Sequence, residues 1–193
     1  HTINLAHVFK HSIHHYCLRE WLALADGHIA QSIKLLTCPP PYMVETIAKR
    51  TIDGFCVGEP WNIQAEIQGH SHIVAESKDI IPEVADKVLA VTQDWATQNP
   101  ETLKAISAAI IKAQKDLQEL SSIDDIWKIL IEYNIIRFDC SESVHVTEFH
   151  KIQNIIQNFV QSDVKPKASD FEWIIQQMQK WDQVDIKNET ISK

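Results

Sequence analysis

The hydrophobic positions of the first 92 residues alternate between short strand-like runs and stretches with helical spacing. Short runs rich in β-branched and aromatic side chains predict strands, and apolar residues three or four positions apart predict helices. This alternation is typical of an α/β domain in which helices flank a mixed, largely parallel sheet. The predicted elements are strands over 2–9, 33–38, 53–57, 71–75 and 87–92, and helices over 14–24, 42–49 and 60–67.

From Asp94 onward the pattern is helical, and the sequence shows no further strand pattern after residue 92. Asn99 is a preferred N-cap residue and Pro100 stands at the first helical position, where its missing N–H leaves no intrahelical hydrogen bond unmade. The sequence therefore predicts a long helix from residue 100 to about residue 120. Further helices are predicted over about 125–133, over about 147–161 and from 169 onward.

The composition is that of a globular chain, with 45% hydrophobic and 23% charged residues among 193. The 18 basic and 26 acidic side chains give a net charge of −8. This balance argues against direct nucleic-acid binding and against an anionic membrane surface, because phosphate groups are bound by Lys and Arg. No run approaches the roughly 18 apolar residues that a membrane span needs.

The four cysteines, Cys17, Cys38, Cys56 and Cys140, form no CxxC motif and lie in apolar surroundings. We expect free buried thiols, although the spacing leaves disulfides in an oxidising compartment open. The chain begins with His1 rather than Met and shows no signal-peptide pattern, which indicates a chain that has been cut.

One candidate anion site lies where a predicted strand passes into a predicted helix, within IDGFCVGEPWNIQ over residues 52–64. The strand ends at Gly58, and the helix begins at Glu59 and Trp61. Ligands of open α/β sheets bind beyond the carboxyl ends of the strands, near helix N-termini, and glycine lets a ligand approach the backbone. The alternative is a tight turn with Trp61 packed in the core.

A second turn of the same kind lies in FKHSIHHYCLREW over residues 9–21, where Lys10, Ser12 and His14 surround a helix start. A hydroxyl, an imidazole and a helix N-terminus favour an anion, and the alternative is a solvated turn. Lys87 opens a predicted strand and could supply a positive charge, although a solvated lysine is the commoner case.

The histidines could alternatively form a metal site. His7, His11 and His15 follow one another at intervals of four residues, and His70 and His72 form a further pair. No acidic or cysteine partner lies in register with them, so we predict neither a metal nor a cofactor. The motifs GxGxxG, GxxxxGK[ST], GxSxG and HExxH are absent from the sequence, and nothing in it indicates an enzyme.

Three longer segments occur in an order that carries a family resemblance. Residues 9–27 follow F-x-x-S-x-H-N-Y-x-L-R-x-W-L-A-x-x-G, residues 38–62 follow V-x-P-P-P-Q-M-V running into D-G-F-x-V-G-E-P-W-N, and residues 86–113 follow E-K-V-L-G-x-x-x-x-W-x-x-x-N-P-x-T. The chain resembles the ABC-type nitrate/sulfonate/bicarbonate solute-binding proteins, in particular the nitrate-binding branch. The resemblance covers about residues 5–118, with a looser echo at 173–181.

The resemblance implies a type II periplasmic-binding-protein fold, with a ligand cleft between two α/β lobes. It also implies that the part of the family that forms most of the first lobe precedes this segment. We therefore expect residues 1–95 to be the α/β second lobe, residues 96–184 a helical part that packs toward the absent first lobe, and residues 185–193 a flexible tail.

The resemblance also implies ligand-binding residues at the matching positions. His14 corresponds to the ligand-contacting histidine of the S-x-H-N turn, and the motif glycine and lysine fall on Gly58 and Lys87. The family's asparagine is His15 here. Ser12, Glu59 and Trp61 belong to the same motifs and are expected around the ligand rather than on it.

The function implied is non-catalytic binding of nitrate or nitrite for ABC-type uptake, with an ABC permease as partner. The corresponding location is the periplasm or the outer face of the inner membrane. Two alternatives remain open: a cytoplasmic nitrate or nitrite sensor that regulates an RNA-binding antiterminator, and a protein similar to those of thiamin-pyrimidine synthesis in the same fold superfamily.

Overall fold

The computed structural model describes residues 3–119, 123–135, 146–159 and 167–184. The chain forms two compact units, one of His1–Asp86 with Lys167–Lys193 and the other of Lys87–Pro166. The domain boundaries expected from the sequence stay a prediction, and the expected tail over 185–193 lies outside the described residues. Within the described part of the chain, no helix is both long enough and apolar enough to cross a bilayer.

The first unit is built on a small parallel sheet, which confirms the predicted α/β fold class. Its strands are β1 (Leu5–His7), β2 (Leu35–Thr37) and β3 (Gly54–Phe55), and β1 lies in the middle. Because β1 pairs in parallel with both neighbours, the carboxyl ends of all three strands lie at the same edge. The turns that leave this edge carry the candidate site residues of the first unit.

A helix follows each strand, as expected where parallel strands need crossover connections. Ala6 of the central strand is fully buried in a core cluster with Cys38, Met43, Ile52 and Val57, and the side chains of Ile47 and Trp61 pack against this cluster. In chain order the helices are α1 (Ile13–Ala25), α2 (Gly27–Ser32), α3 (Pro40–Ala48), α4 (Trp61–Ile67), α5 (Gln93–Gln98), α6 (Pro100–Glu119), α7 (Ile123–Glu132), α8 (Val146–Phe159) and α9 (Ser169–Asp182).

The predicted strands over 71–75 and 87–92 are wrong, because the structure assigns no strand to either stretch. Val74 is 78% exposed, and Val88 and Val91 are exposed as well. Strand propensity measures how well side chains fit a half-buried pleated surface, so a β-rich run without a partner strand stays irregular. The helix predicted from Pro100 is confirmed as α6, whereas the short helix α5 before it was not predicted.

The last helix of the described chain, α9, packs onto α1 within the first unit. The Tyr16 hydroxyl donates a 2.7 Å hydrogen bond to Asp182, and the Trp181 indole N–H donates one of 2.7 Å to Glu20. The Lys180 ammonium also donates to Glu20 and lies 4.7 Å from the centre of the Trp181 ring. These contacts join α9, near the end of the described chain, to α1, near its beginning.

Replacing Tyr16 with phenylalanine should destabilise the protein by about 1–3 kcal/mol, because the buried carboxylate of Asp182 loses a hydrogen-bond donor. The measurement is the urea midpoint of unfolding near neutral pH. Tyr42→Phe is the matched control, because Tyr42 is 57% exposed, and it should change stability by less than about 0.5 kcal/mol. Equal effects of the two substitutions would contradict this role for the Tyr16 hydroxyl.

Candidate anion-binding site

The candidate site lies at the carboxyl edge of the sheet, where the β1–α1 and β3–α4 turns leave neighbouring strands. The backbone N–H of Cys38 donates to His7 O and that of Cys56 to Ala6 O, both at 2.9 Å, just beyond β2 and β3. These bonds continue the parallel pairing past the strand ends, so the β3–α4 turn exits beside the one that starts α1.

The structure brings His14 and Gly58 together across these two turns. A Cβ atom built on Gly58 would lie 3.4 Å from Nε2 of His14, which is van der Waals contact. Gly58 is exposed and His14 is half-buried, so the imidazole nitrogen faces a strip of backbone that solvent can reach. An imidazole and a bare backbone at a helix start can together donate hydrogen bonds to a small anion.

Ser12 positions His14 by capping α1. Its side-chain oxygen accepts a 3.1 Å hydrogen bond from the backbone N–H of His15, and its hydroxyl donates a 2.6 Å bond to Phe9 O. Ser12 is buried, so its hydroxyl serves the turn itself. Ser12 thus fixes the start of α1, and its expected place around a ligand stays a prediction.

Glu59 and Trp61 hold the other turn in place. The carboxylate of Glu59 accepts hydrogen bonds from the side-chain amide of Asn62 at 3.2 Å and from the backbone N–H of Ile63 at 3.1 Å. Trp61, the first residue of α4, packs against the core cluster. The alternative prediction for this turn, in which Trp61 packs in the core, therefore agrees with the packing of Trp61. Gly58, in the same turn, is exposed.

Lys87 is exposed and is the first residue of the second compact unit. The structure places it in an irregular stretch rather than at the start of a strand. Its role in an anion site, like the ligand-binding roles of His14 and Gly58, stays a prediction.

A pair of buried histidines that sequence reasoning did not place at the site lies behind His14. Nδ1 of His7 and Nδ1 of His15 are 2.9 Å apart, and each residue is at most 5% exposed. A hydrogen bond between two Nδ1 atoms needs one donor and one acceptor. When His15 donates, His7 carries its proton on Nε2, which faces the Thr37 hydroxyl at 3.4 Å, and the buried Nε2 of His15, which has no hydrogen-bond partner, is left without a proton.

Burial keeps both imidazoles neutral. Desolvation, the neighbouring His7 and the positive charge of Arg19 lower the pKa of His15 to about 4. The pKa of His7 is also lowered, by burial first and then by Arg19. Two of the three histidines whose spacing suggested a metal, His7 and His15, are eight positions apart and form a hydrogen-bonded pair instead. Among the described residues, no group of three His, Cys, Asp or Glu side chains is arranged to hold a metal ion.

Asp182 supplies the negative charge next to this pair. Its carboxylate accepts from Tyr16 and lies 3.2 Å from His11 Nδ1 and 3.6 Å from Lys10 Nζ. Burial opposes ionisation of the carboxyl group, but the Tyr16 hydrogen bond and the nearby basic groups outweigh it and hold the pKa of Asp182 below its ordinary value. No local motif pairs Asp182 with Tyr16, which is 166 positions away.

The protein should lose stability as the pH falls from about 6.5 toward about 4. The folded-state pKa of His15 lies below its ordinary value, so the unfolded chain binds more protons in this window and the free energy of unfolding decreases. His15→Asn, which introduces the residue found in the resembling motif, should reduce this acid-induced loss by about 2 kcal/mol. The measurement is urea unfolding at a series of pH values.

His28→Asn is the matched control, because His28 is exposed on α2. It should keep the pH dependence of the unsubstituted protein. A His15→Asn variant with an unchanged pH dependence would show that His15 is not the group that titrates.

Comparison with known proteins gives a consistent set of relatives. The sequence model of the NMT1-like family matches residues 1–131. The bicarbonate transport ATP-binding protein CmpC of Synechocystis sp. is 37% identical over 113 residues, which are 58% of this chain and 17% of that protein. The nitrate/nitrite binding protein NrtA of Nostoc sp. is 31% identical over 144 residues, which are 73% of this chain and 33% of that protein.

The fold is shared with a solved structure, the periplasmic nitrate-binding protein NrtA from Synechocystis. The TM-score is 0.78 at 20% sequence identity, over 98% of this chain and 52% of that chain. The chain spans less than half the length of the curated relatives it matches, from 17% to 44%.

Proposed function

The chain belongs to the NMT1-like family, and from this premise we propose that it binds nitrate or nitrite, without catalysis, for uptake by an ABC transporter. Two kinds of relative support the proposal: NrtA, named for binding nitrate and nitrite, and NrtC, named for nitrate import. The shared fold with a periplasmic nitrate-binding protein supports a location in the periplasm or at the outer face of the inner membrane, with an ABC permease as partner.

The observation that carries this proposal is the approach of His14 Nε2 to Gly58 at the carboxyl edge of a parallel sheet. Nitrate is a small, planar, monovalent anion whose three oxygens accept hydrogen bonds. Charge-assisted hydrogen bonds contribute about 1.5–3 kcal/mol each, so three or four of them suit micromolar affinity. His14, the backbone at Gly58 and the N-terminus of α1 would supply donors, and Lys87 would supply a positive charge.

Bicarbonate is the second candidate ligand, because CmpC, named for bicarbonate transport, is the 37% identical relative. The bicarbonate branch of the resembling family is expected to need additional carboxylates for a calcium ion. Glu59 is the carboxylate next to Gly58, and both of its oxygens accept hydrogen bonds from the first turn of α4. This arrangement favours nitrate or nitrite over bicarbonate.

Isothermal titration of the intact protein with nitrate, nitrite, bicarbonate and an alkylsulfonate tests the proposal. We expect nitrate or nitrite to bind and the other two to bind much more weakly. His14→Ala and Lys87→Ala should each weaken nitrate affinity by about tenfold or more, because each removes one charged or hydrogen-bonding group from the anion.

Gly58→Ala separates ligand binding from folding. The added methyl group would sit at van der Waals contact with His14 Nε2, so the fold should tolerate it, while it fills the space in which the anion meets the backbone. We expect nearly unchanged thermal stability and weaker nitrate binding. His28→Ala and Lys49→Ala, both exposed, are the controls and should bind like the unsubstituted protein. Binding of none of the four anions would overturn the proposed function.

A further inference from the structure

The turn that leads from β1 into α1 contains a backbone conformation that residues other than glycine rarely adopt. The backbone N–H of Ser12 donates a 3.2 Å hydrogen bond to Phe9 O and closes a turn with Lys10 and His11 at its centre. His11 has a φ of 66°. A positive φ at the third position of such a turn normally calls for glycine or asparagine. A histidine persists in this conformation only where its surroundings hold it there.

Two oxygen atoms on different helices hold the imidazole of His11. Its Nδ1 lies 2.9 Å from the Tyr16 hydroxyl on α1 and 3.2 Å from the carboxylate of Asp182, the last residue of α9. The Tyr16 hydroxyl has a single proton, which it donates at 2.7 Å to the same carboxylate oxygen, so towards His11 it can only accept. Nδ1 of His11 therefore carries a proton that the two oxygens share.

The carboxylate of Asp182 meets both central residues of the turn. Its second oxygen lies 3.6 Å from Nζ of Lys10, and its side chain is 8% exposed. The end of α9 fixes the place of this carboxylate, because Gln183 ends the helix with a φ of 55° and the Val184 N–H donates to Met178 O at 3.2 Å. A residue far along the chain thus holds the start of α1.

The conformation of this turn determines where His14 lies. Ser12 directly follows His11, and its hydroxyl donates to Phe9 O while its oxygen accepts from the backbone N–H of His15. A change of φ at His11 would rotate Ser12 out of this arrangement and release the first turn of α1. His14 lies in that first turn, so its imidazole would leave its place in the candidate site.

We propose that Asp182 is a positioning residue for the candidate anion site. Through His11 it holds the β1–α1 turn in the conformation that presents His14 to the anion, and this inference rests on the proposed function. Its effect passes through the backbone and needs no contact with the ligand. Without Asp182, the binding conformation is only partly populated, and the apparent affinity falls by the populated fraction.

His11→Ala and His11→Gly give the first test. Both remove the imidazole that Asp182 holds, but alanine keeps the Cβ atom that disfavours a positive φ, whereas glycine adopts this φ readily. In isothermal titration, we expect the glycine variant to bind nitrate about fivefold more tightly than the alanine variant. Equal nitrate affinities of the two variants would overturn the proposal.

Asp182→Ala in two backgrounds separates positioning from stability. It removes the hydrogen bond from Tyr16 in either background, so the urea midpoint should fall similarly in the unsubstituted protein and in the His11→Gly variant. Nitrate affinity should fall about fivefold in the unsubstituted protein but less than about twofold in the His11→Gly variant. An equal loss of affinity in both backgrounds would leave Asp182 a structural role alone. Glu172→Ala, exposed on the same helix, is the control and should change neither quantity.

Amide hydrogen exchange provides a readout that does not depend on nitrate. The backbone N–H of His15 is bonded to Ser12, so its exchange rate reports whether the turn is formed. The reference is the Gln64 N–H in α4, which donates to the backbone at 2.9 Å. Relative to this reference, we expect His15 to exchange about fivefold faster in Asp182→Ala and to recover when His11→Gly is added.

This readout also distinguishes failure of the inference from failure of the proposed function. If the unsubstituted protein binds no anion, the proposed function is wrong, and the exchange rate of His15 alone decides whether Asp182 positions the turn. An unchanged relative rate in Asp182→Ala would contradict the positioning role. If Asp182→Ala does not fold, the comparison of His11→Ala with His11→Gly decides, by affinity and by exchange.

Discussion

The candidate site depends on the parallel pairing of β1 with both of its neighbours. This pairing sets the carboxyl ends of three strands at one edge, and the hydrogen bonds from Cys38 to His7 and from Cys56 to Ala6 extend it into the turns. Side chains alternate between the two faces of a strand. A slip of one residue in the β1–β3 register would therefore point the side chains before Gly58 to the opposite face and move Gly58 away from His14. The position of the exposed backbone strip is thus a consequence of sheet register.

Helix α1 connects this edge to the rest of the first unit through four consecutive residues, His14 to Cys17. His14 faces Gly58, His15 bonds to His7 of β1, Tyr16 bonds to Asp182 of α9, and Cys17 is buried. Consecutive helix residues are about 100° apart around the axis, so four of them point in most directions around α1. The helix is therefore held on several sides, and a displacement of α1 would disturb the imidazole pair, the Tyr16–Asp182 hydrogen bond and the candidate site together.

Local patterns located the strands β1, β2 and β3 and the helices after them, because alternation and helical spacing reflect burial of one face. The same patterns were wrong over 71–75 and 87–92, where β-branched residues occur without a partner strand. They were also incomplete at the site. The turns around His14 and Gly58 were recognised as favourable for an anion, but their proximity follows only from the pairing of the strands in the sheet.

The sequence by itself determined the α/β class, the family and the two turns with glycine, serine and imidazole at helix starts, since these follow from local propensity and from motifs read along the chain. Only the tertiary structure decided which side chains meet. Two of the histidines whose spacing suggested a metal, His7 and His15, form a buried hydrogen-bonded pair, and Asp182 lies beside Tyr16. The physical reason is that burial and side-chain contact depend on how helices pack on the sheet, which no short stretch of sequence encodes.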